Sequence, residues 1–166
     1  MKATMNITTL ASIFMAACLA ACLALFSTAA YAGIAGYTQF VNGDVKVANS
    51  AGQARALQKG DPVHESDTVI TAKGASAQIK MRDGGFIAIR PDSQLKFDSF
   101  IFSGKEDGTE KSFFSLIKGG IRAITGMIGQ QNKSNYRIAT TASTIGIRGT
   151  DHETFVVVKG SEMAAI

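Results

Sequence analysis

Residues 75–89, ASAQIKMRDGGFIAI, contain the pattern that decides the fold. Ile79 and Met81 alternate with polar neighbours, which is the two-residue period of a half-buried strand. Asp83-Gly84 follows at once, and a second apolar run occupies Phe86–Ile89. Because a type I′ turn needs two central residues that tolerate positive φ, an Asp-Gly pair between two such runs predicts a β-hairpin with that turn.

Short runs of the same character recur along the rest of the chain, and each predicts a strand. They are Asp44–Val47, Thr68–Ala72, Ala75–Arg82, Phe86–Ile89, Gln94–Phe102, Ser112–Ile117, Ile121–Ile124, Tyr136–Thr140 and Glu153–Val158. Polar loops are predicted at Ser103–Glu110 and Gly126–Asn135. No window after Ala32 has the apolar stripe of a helix. The pattern therefore predicts a single all-β domain of short strands and glycine turns.

The first 32 residues have a different composition and predict a secretory signal peptide. Lys2 gives the segment a basic start. Leu10–Phe26 is almost wholly apolar and would form the signal helix. Ala30-Tyr31-Ala32 has the A-x-A pattern of a cleavage site. We expect cleavage after Ala32 and a periplasmic or cell-surface location. Two alternatives stay open: Leu19–Cys22 resembles a lipobox that would lipidate Cys22, and the apolar run could remain as an uncleaved anchor.

Composition excludes several classes of protein. With 46% hydrophobic and 18% charged residues, the 166-residue chain is too apolar to be intrinsically disordered. The net charge of +4 comes without a dense basic stripe, so we expect no nucleic-acid partner. The two cysteines, Cys18 and Cys22, both precede the expected cleavage point. The exported body would then have no thiol for a disulfide or a metal site.

The residue types of catalysis do not form a recognisable motif. The two histidines, His64 and His152, are not accompanied by a G-x-S-x-G nucleophile elbow or a P-loop. Metal-ligating residue types occur together in Asp151-His152-Glu153. Because side chains alternate along a strand, however, His152 would face away from both acids. We therefore predict no catalytic, cofactor-binding or metal-binding residue. An envelope hydrolase whose site is built from scattered carboxylates remains the alternative.

The segment Ala142–Asp151, ASTIGIRGTD, is the most distinctive one in the chain. Arg148 lies between two glycines and carries five fixed hydrogen-bond donors. We interpret it as a scaffold residue that pairs with Asp61, Asp83 or Asp151. Contact with a ligand or partner is the other interpretation.

These segments together resemble the FecR domain. Their order and spacing over about residues 36–158 carry the resemblance. The matching pieces are Gly43-Asp44-Val45, Leu57-x-x-Gly60-Asp61, Asp67-Thr68-x-Ile70-Thr71, Asp83-Gly84 with Ile87 and Ile89, Pro91-x-Ser93-x-Leu95, Leu116-x-x-Gly119-Gly120-x-Arg122, Tyr136-Arg137-Ile138-x-Thr140 and Ile145-Gly146-Ile147-Arg148-Gly149-Thr150. The set is most similar to the stand-alone exported FecR-domain proteins of Gram-negative bacteria.

The resemblance implies a twisted, solenoid-like all-β domain over residues 36–158, followed by a short tail at 159–166, for which a truncated end is one interpretation. It implies a non-enzymatic module in envelope signalling or organisation that binds an unidentified envelope protein or glycan. The family's namesakes are sigma-factor regulators, but only nine residues precede the apolar run here, so we expect no direct sigma-factor contact. We interpret these motif residues as structural: Asp83, Gly84, Gly119, Gly120, Arg122, Gly146, Arg148, Gly149 and Thr150.

Overall fold

The computed structural model describes residues 33–105, 108–146 and 151–156. The expected signal peptide with Cys22 and the cleavage point after Ala32, the tail at 159–166, and Arg148, Gly149 and Thr150 lie outside these residues. The described strands are β1 (Ile34–Asn42), β2 (Val45–Ala48), β3 (Ala54–Ala56), β4 (Pro62–His64), β5 (Thr68–Thr71), β6 (Ser76–Met81), β7 (Phe86–Ile89), β8 (Gln94–Ile101), β9 (Lys111–Ile124), β10 (Tyr136–Thr140), β11 (Thr144–Gly146) and β12 (Asp151–Val156). A helix, α1 (Met127–Gln131), and a 3-10 turn (Lys133–Asn135) separate β9 from β10.

The strands form one curled sheet, shaped as a half-barrel, in two halves that share β9. The first half-sheet has the order β4-β1-β6-β7-β9-β12, and the second has the order β3-β2-β5-β8-β9-β10-β11. Neighbouring strands are antiparallel, apart from the parallel pair β9 and β10. The chain crosses repeatedly between the halves, since β1 lies in the first, β2 and β3 in the second, and β4 in the first again.

The long strand β9 passes from one half-sheet to the other at Gly119-Gly120. Residues up to Lys118 pair with β8, and residues from Ile121 onward pair with β7. Gly119 has φ +80°, and a Cβ there would lie 2.6 Å from the carbonyl oxygen of Asp92. Only glycine avoids both the backbone strain and this close approach. The glycine pair is thus the place where the sheet bends.

A turn at Pro91–Ser93 closes onto this bend. The Ser93 hydroxyl accepts a hydrogen bond from the Gly120 N–H at 2.9 Å and lies 3.1 Å from the Gly120 carbonyl oxygen. The Arg90 N–H also donates to that carbonyl, at 3.0 Å. Ser93 is buried, so these bonds satisfy polar groups that water does not reach.

One hydrophobic core lies between the two half-sheets. Ile79, Ile87 and Ile121 line the first half-sheet and are almost wholly buried. From the second half-sheet, Phe97 packs edge-to-face on Phe114, with ring centroids 5.3 Å apart. Such aromatic pairs contribute about 0.5–1.5 kcal/mol beyond the area they bury.

The structure confirms the all-β prediction of short strands joined by glycine turns. The predicted bounds of β7 and β10 match, and those of β2, β5, β6, β8 and β12 agree within one or two residues. Strands β1, β3, β4 and β11 were not predicted. The sequence predicted two strands on either side of Gly119-Gly120, whereas the structure has one continuous strand.

Two local predictions were wrong. The turn between β6 and β7 is not type I′, because Gly84 has positive φ but Asp83 does not. It is a four-residue connection in which the Asp83 carboxylate accepts the Gly85 N–H at 3.1 Å. The predicted loop at Gly126–Asn135 contains α1 instead.

Asp83 also explains why α1 forms. Its carbonyl oxygen accepts the Met127 N–H at 2.9 Å, and its carboxylate accepts the N–H of Ile128. Gly126 lets this carboxylate approach, because a Cβ at that position would collide with it. A contact distant in sequence therefore stabilises a helix too short to form alone. No helix within the described residues is long and apolar enough to span a membrane.

Candidate functional site

The candidate site is the outer face of the first half-sheet, which is made by the side chains of β1, β6, β7, β9 and β12 that point away from the core. Strand alternation places these residues on it: Tyr37, Phe40, Gln78, Lys80, Phe86, Ala88, Arg122, Ile124, Asp151, Glu153 and Phe155. Arg90, which directly follows β7, lies beside Phe155 on the same face.

The pairing register aligns one row of these side chains straight across the five strands. Phe40 lies opposite Gln78, Gln78 opposite Ala88, Ala88 opposite Arg122, and Arg122 opposite Glu153. We call this row the cross-strand strip. Because every step is a backbone-paired position, the spacing of the strip is fixed by the sheet.

This face exposes apolar side chains to an unusual degree. Seven large apolar side chains are exposed in the described residues, and four of them lie here. Tyr37 and Ile124 are each 45% exposed, Phe40 is 53% exposed and Phe155 is 55% exposed. Several exposed apolar side chains on one face are typical of an interaction surface.

Four charged groups of the face form two ion pairs with each other. Arg122 donates through Nε and Nη2 to the two carboxylate oxygens of Asp151, at 3.1 and 2.5 Å. This bond raises the pKa of Arg122 and lowers the pKa of Asp151, so both stay ionised at neutral pH. Arg90 donates to Glu153 at 2.5 Å and stacks its guanidinium over the Phe155 ring, 5.3 Å from the centroid.

A shallow depression of about 320 Å³ opens on the face. Phe40, Gln78 and Arg122 of the cross-strand strip line it, together with Arg90 and Pro91. Its volume lies at the lower end of the range typical of small-molecule sites. The depression combines an aromatic wall with amide and guanidinium donors, which is the composition of a recognition site.

The family-motif residues fall in different places. Arg122 belongs to the outer face, Gly119 and Gly120 form the bend of β9, and Asp83 and Gly84 form the turn that supports α1. Gly146 ends β11. Their structural interpretation stays a prediction.

The three carboxylates suggested as partners of Arg148 have partners among the described residues. Asp61 pairs with Arg55 at 2.6 Å, and Asp151 pairs with Arg122. Burial raises the pKa of the Asp83 carboxyl, although its backbone hydrogen bonds oppose this effect.

The two histidines lie away from the outer face. His152 points inward and packs edge-to-face on Tyr136, with centroids 5.8 Å apart, whereas its neighbours Asp151 and Glu153 lie on the face. Burial lowers the pKa of His152, and neither ring nitrogen has a hydrogen-bond partner among the residues that the structure describes. His64 donates its backbone N–H to the buried carboxylate of Asp67. Within residues 33–105, 108–146 and 151–156, no three His, Cys, Asp or Glu side chains form a possible metal site.

Sequence reasoning missed most of this face. Tyr37, Phe40, Arg90 and Phe155 were not candidates, because their grouping depends on pairing between distant strands. The available signal was weak: apolar residues at positions that alternation assigns to the solvent side of a strand.

Comparison with known proteins gives one family and one solved structure. The family model described as FecR protein matches residues 67–165, more than half of the chain. No curated protein matches. A solved structure described as a cell surface anchoring domain is 33% identical over 39% of this chain and 84% of its own, with a TM-score of 0.38.

Proposed function

The chain belongs to the FecR family, and we propose that its domain over residues 36–158 is a non-enzymatic binding module of the cell envelope. Residues 1–32 direct export and are cleaved after Ala32, which delivers the module to the periplasm or the cell surface. A lipidated Cys22 or an uncleaved anchor would hold the same module at the membrane.

The exposed aromatic and arginine side chains of the outer face carry this proposal. Full burial of a large apolar side chain is worth about 1.5–3 kcal/mol, so a side chain left half exposed forgoes roughly half of that energy. Four such side chains on a single face are therefore best explained by a partner that covers them. Aromatic residues and arginine are also the types enriched in the centres of protein interfaces and ligand sites.

The chemistry of the face favours binding over turnover. Arg122 keeps the pKa of Asp151 low, so this carboxylate is a poor general acid and a weak base at neutral pH. Glu153 is held by Arg90 in a similar ion pair. Ion pairs of this kind present charge-assisted hydrogen-bonding groups that orient a ligand.

The proposal is tested by retention of solubilised envelope material on the immobilised chain. Phe40→Ser with Phe155→Ser removes the aromatic contacts of the outer face. Ile101→Ser is the matched control, because Ile101 is 44% exposed on β8 in the second half-sheet. We expect material that the wild type and the control retain and that the double variant loses.

Equal retention by all three proteins would contradict the proposal. Release of soluble glycan fragments from envelope material, abolished by a single Asp or Glu substitution, would instead support the alternative of an envelope hydrolase.

A further inference from the structure

We propose that one end of the outer face docks on the surface of an anionic phospholipid bilayer. This inference rests on the proposed place of the module in the cell envelope, and it gives one end of the face a partner. We call that end the basic end. Its side chains are Tyr37, Lys80, Arg82, Phe86 and Ile124.

The pairing register places four of these side chains in a row across β1, β6, β7 and β9. Tyr37 lies opposite Lys80, and Phe86 lies opposite both Lys80 and Ile124. Arg82 follows Lys80 by two residues, so strand alternation places it on the same face. Tyr37 and Ile124 are each 45% exposed, and both cations are exposed as well. The basic end thus presents apolar and cationic side chains next to each other.

The two cations of the basic end form no ion pair with any acid among the described residues. The Lys80 ammonium lies over the Phe86 ring, 5.8 Å from its centroid. The Arg82 guanidinium lies 3.5 Å from the carbonyl oxygen of Ile34. Both positive charges therefore remain available to an anionic partner.

The two acids beside the basic end are already engaged. Asp83, the next residue after Arg82, is buried, and its carboxylate accepts the N–H of Gly85. Asp151 lies opposite Ile124 but pairs with Arg122. The basic end is therefore a locally positive surface, unlike the part of the outer face where arginine and carboxylate side chains balance each other.

This combination of side chains favours a bilayer over a protein partner. Lysine is depleted in protein interfaces, yet Lys80 lies in the middle of the row, between Tyr37 and Phe86. Lysine and arginine beside aromatic and aliphatic side chains are typical of surfaces that bind anionic lipids. The apolar groups enter the headgroup region, and the cations contact lipid phosphates. Tyrosine is also enriched at the boundary between membrane and water.

The place where the described chain begins favours the same partner. It starts at Gly33, and the carbonyl oxygen that Arg82 approaches belongs to the next residue, Ile34. The apolar run Leu10–Phe26 ends seven residues before Gly33, and seven residues span at most about 25 Å. An uncleaved anchor would therefore keep the basic end close to the bilayer. Such a short tether raises the effective concentration, so that a weak surface contact is sufficient.

The experiment measures the accessibility of Lys80 in the full chain reconstituted into lipid vesicles. Lysines are acetylated with acetic anhydride, and mass spectrometry gives the rate at each site. One set of vesicles is phosphatidylcholine alone, and the other is an equal mixture of phosphatidylcholine and phosphatidylglycerol. Lys73 is the internal reference, because it is exposed, forms no ion pair among the described residues and precedes β6, whereas Lys80 lies near the other end of that strand.

We expect acetylation of Lys80, relative to Lys73, to slow about fivefold in the anionic vesicles only, the factor expected for one cation at an anionic surface. This protection should largely disappear in about 1 M salt, where the Debye length is about 3 Å. Arg82→Gln removes a cation and Ile124→Ser removes an apolar contact. Each should reduce the protection to less than about twofold.

Two matched controls alter the same types of side chain elsewhere. Lys111 and Ile101 are exposed and lie opposite each other on β9 and β8 in the second half-sheet. Lys111→Gln and Ile101→Ser should keep the full protection of Lys80. All four variants should keep the thermal midpoint of the wild type, because the altered side chains are exposed.

The inference is overturned if Lys80 is equally accessible in both kinds of vesicle, or if the Arg82 and Ile124 variants keep the protection. It is also overturned if soluble hexagalacturonate protects Lys80 in uncharged detergent, since an acidic glycan would then be the partner. These failures are separate from failure of the proposed binding function, which depends on Phe40 and Phe155. Envelope material retained through those two residues, without protection of Lys80, would leave the binding function standing and the lipid contact wrong.

Discussion

Replacing Gly119 with alanine is expected to destabilise the fold by about 3–4 kcal/mol, roughly two to three times the effect of the same change at Gly74. Both glycines have similar positive φ, +80° at Gly119 and +75° at Gly74. They differ in their surroundings, because a Cβ at Gly74 meets nothing within 4 Å. Gly74→Ala therefore measures the backbone cost alone, about 1–2 kcal/mol.

The additional cost at Gly119 comes from the turn that lies against it. The new Cβ would lie 2.6 Å from the carbonyl oxygen of Asp92 and collide with the Ser93 hydroxyl. Carbon contacts are optimal near 3.5–4.0 Å, so the turn must move away by roughly 1 Å. That movement breaks the two short contacts between Ser93 and Gly120, each worth about 1 kcal/mol in a buried site.

The assay is equilibrium unfolding in urea, followed by far-ultraviolet circular dichroism because the chain has no tryptophan. At an unchanged m-value, the midpoint of Gly119→Ala should shift two to three times as far as that of Gly74→Ala. Ser93→Ala removes the hydroxyl that the new Cβ would strike. The double variant of Ser93 and Gly119 should thus lose less stability than the sum of the single variants. Equal midpoint shifts for the two glycines, or strict additivity, would refute a role for close approach at the bend.

Three further changes test the core and the buried titratable groups. Phe114→Ala should cost about 3–5 kcal/mol in urea unfolding, because its ring lies between Phe97 and Tyr136; a loss under 1 kcal/mol would contradict this packing. His152 has a lowered pKa in the folded state, so its contribution to stability is present above pH 6.5 and is lost as the pH falls toward the folded pKa. His152→Phe should remove that decline from the curve of unfolding free energy against pH, and an unaltered curve would oppose the assignment. Asp83 has a raised pKa, so its contribution is present below pH 3.8 and is lost as the pH rises through the folded pKa; Asp83→Asn, which cannot titrate, should flatten this part of the curve, and a persistent slope would point to another carboxyl.

Local sequence signals were sufficient to predict the bounds of a strand that is flanked by strong turn residues. Phe86–Ile89 follows Asp-Gly-Gly and precedes Arg-Pro, and its predicted bounds are those of β7. Tyr136–Thr140 alternates cleanly and was likewise bounded correctly. In these segments the hydrophobic period and the turn chemistry indicate the same structure.

The same signals failed where a distant contact decides the local structure. Gly119-Gly120 was interpreted as a break between two strands, although the strand continues because Ser93 satisfies the backbone at the bend. Met127–Gln131 has no apolar stripe, and its helix depends on hydrogen bonds to Asp83. In both contacts the two residues are far apart in the sequence, so no local pattern predicts either of them.

The outer face was hidden for a related reason. Alternation assigns Lys80 and Arg122 to the solvent side of their strands, but it does not indicate which strands are neighbours. The cross-strand strip exists only because β1 and β12, at opposite ends of the domain sequence, flank the same three strands. A site assembled by pairing has no compact motif, and a search for spaced motifs passes over it.

The bend and the outer face are physically one feature. A Cβ at Gly120 would collide with the ring of Phe155, and the Arg90 side chain covers the same position. The missing side chain at Gly120 therefore lets the Phe155 ring lie close to the sheet, where Arg90 stacks over it. Gly119 lets β9 turn between the half-sheets, and Gly120 shapes the surface offered to a ligand. The glycine pair, which the sequence analysis interprets as structural, thus also sets the position of an aromatic residue in the candidate site.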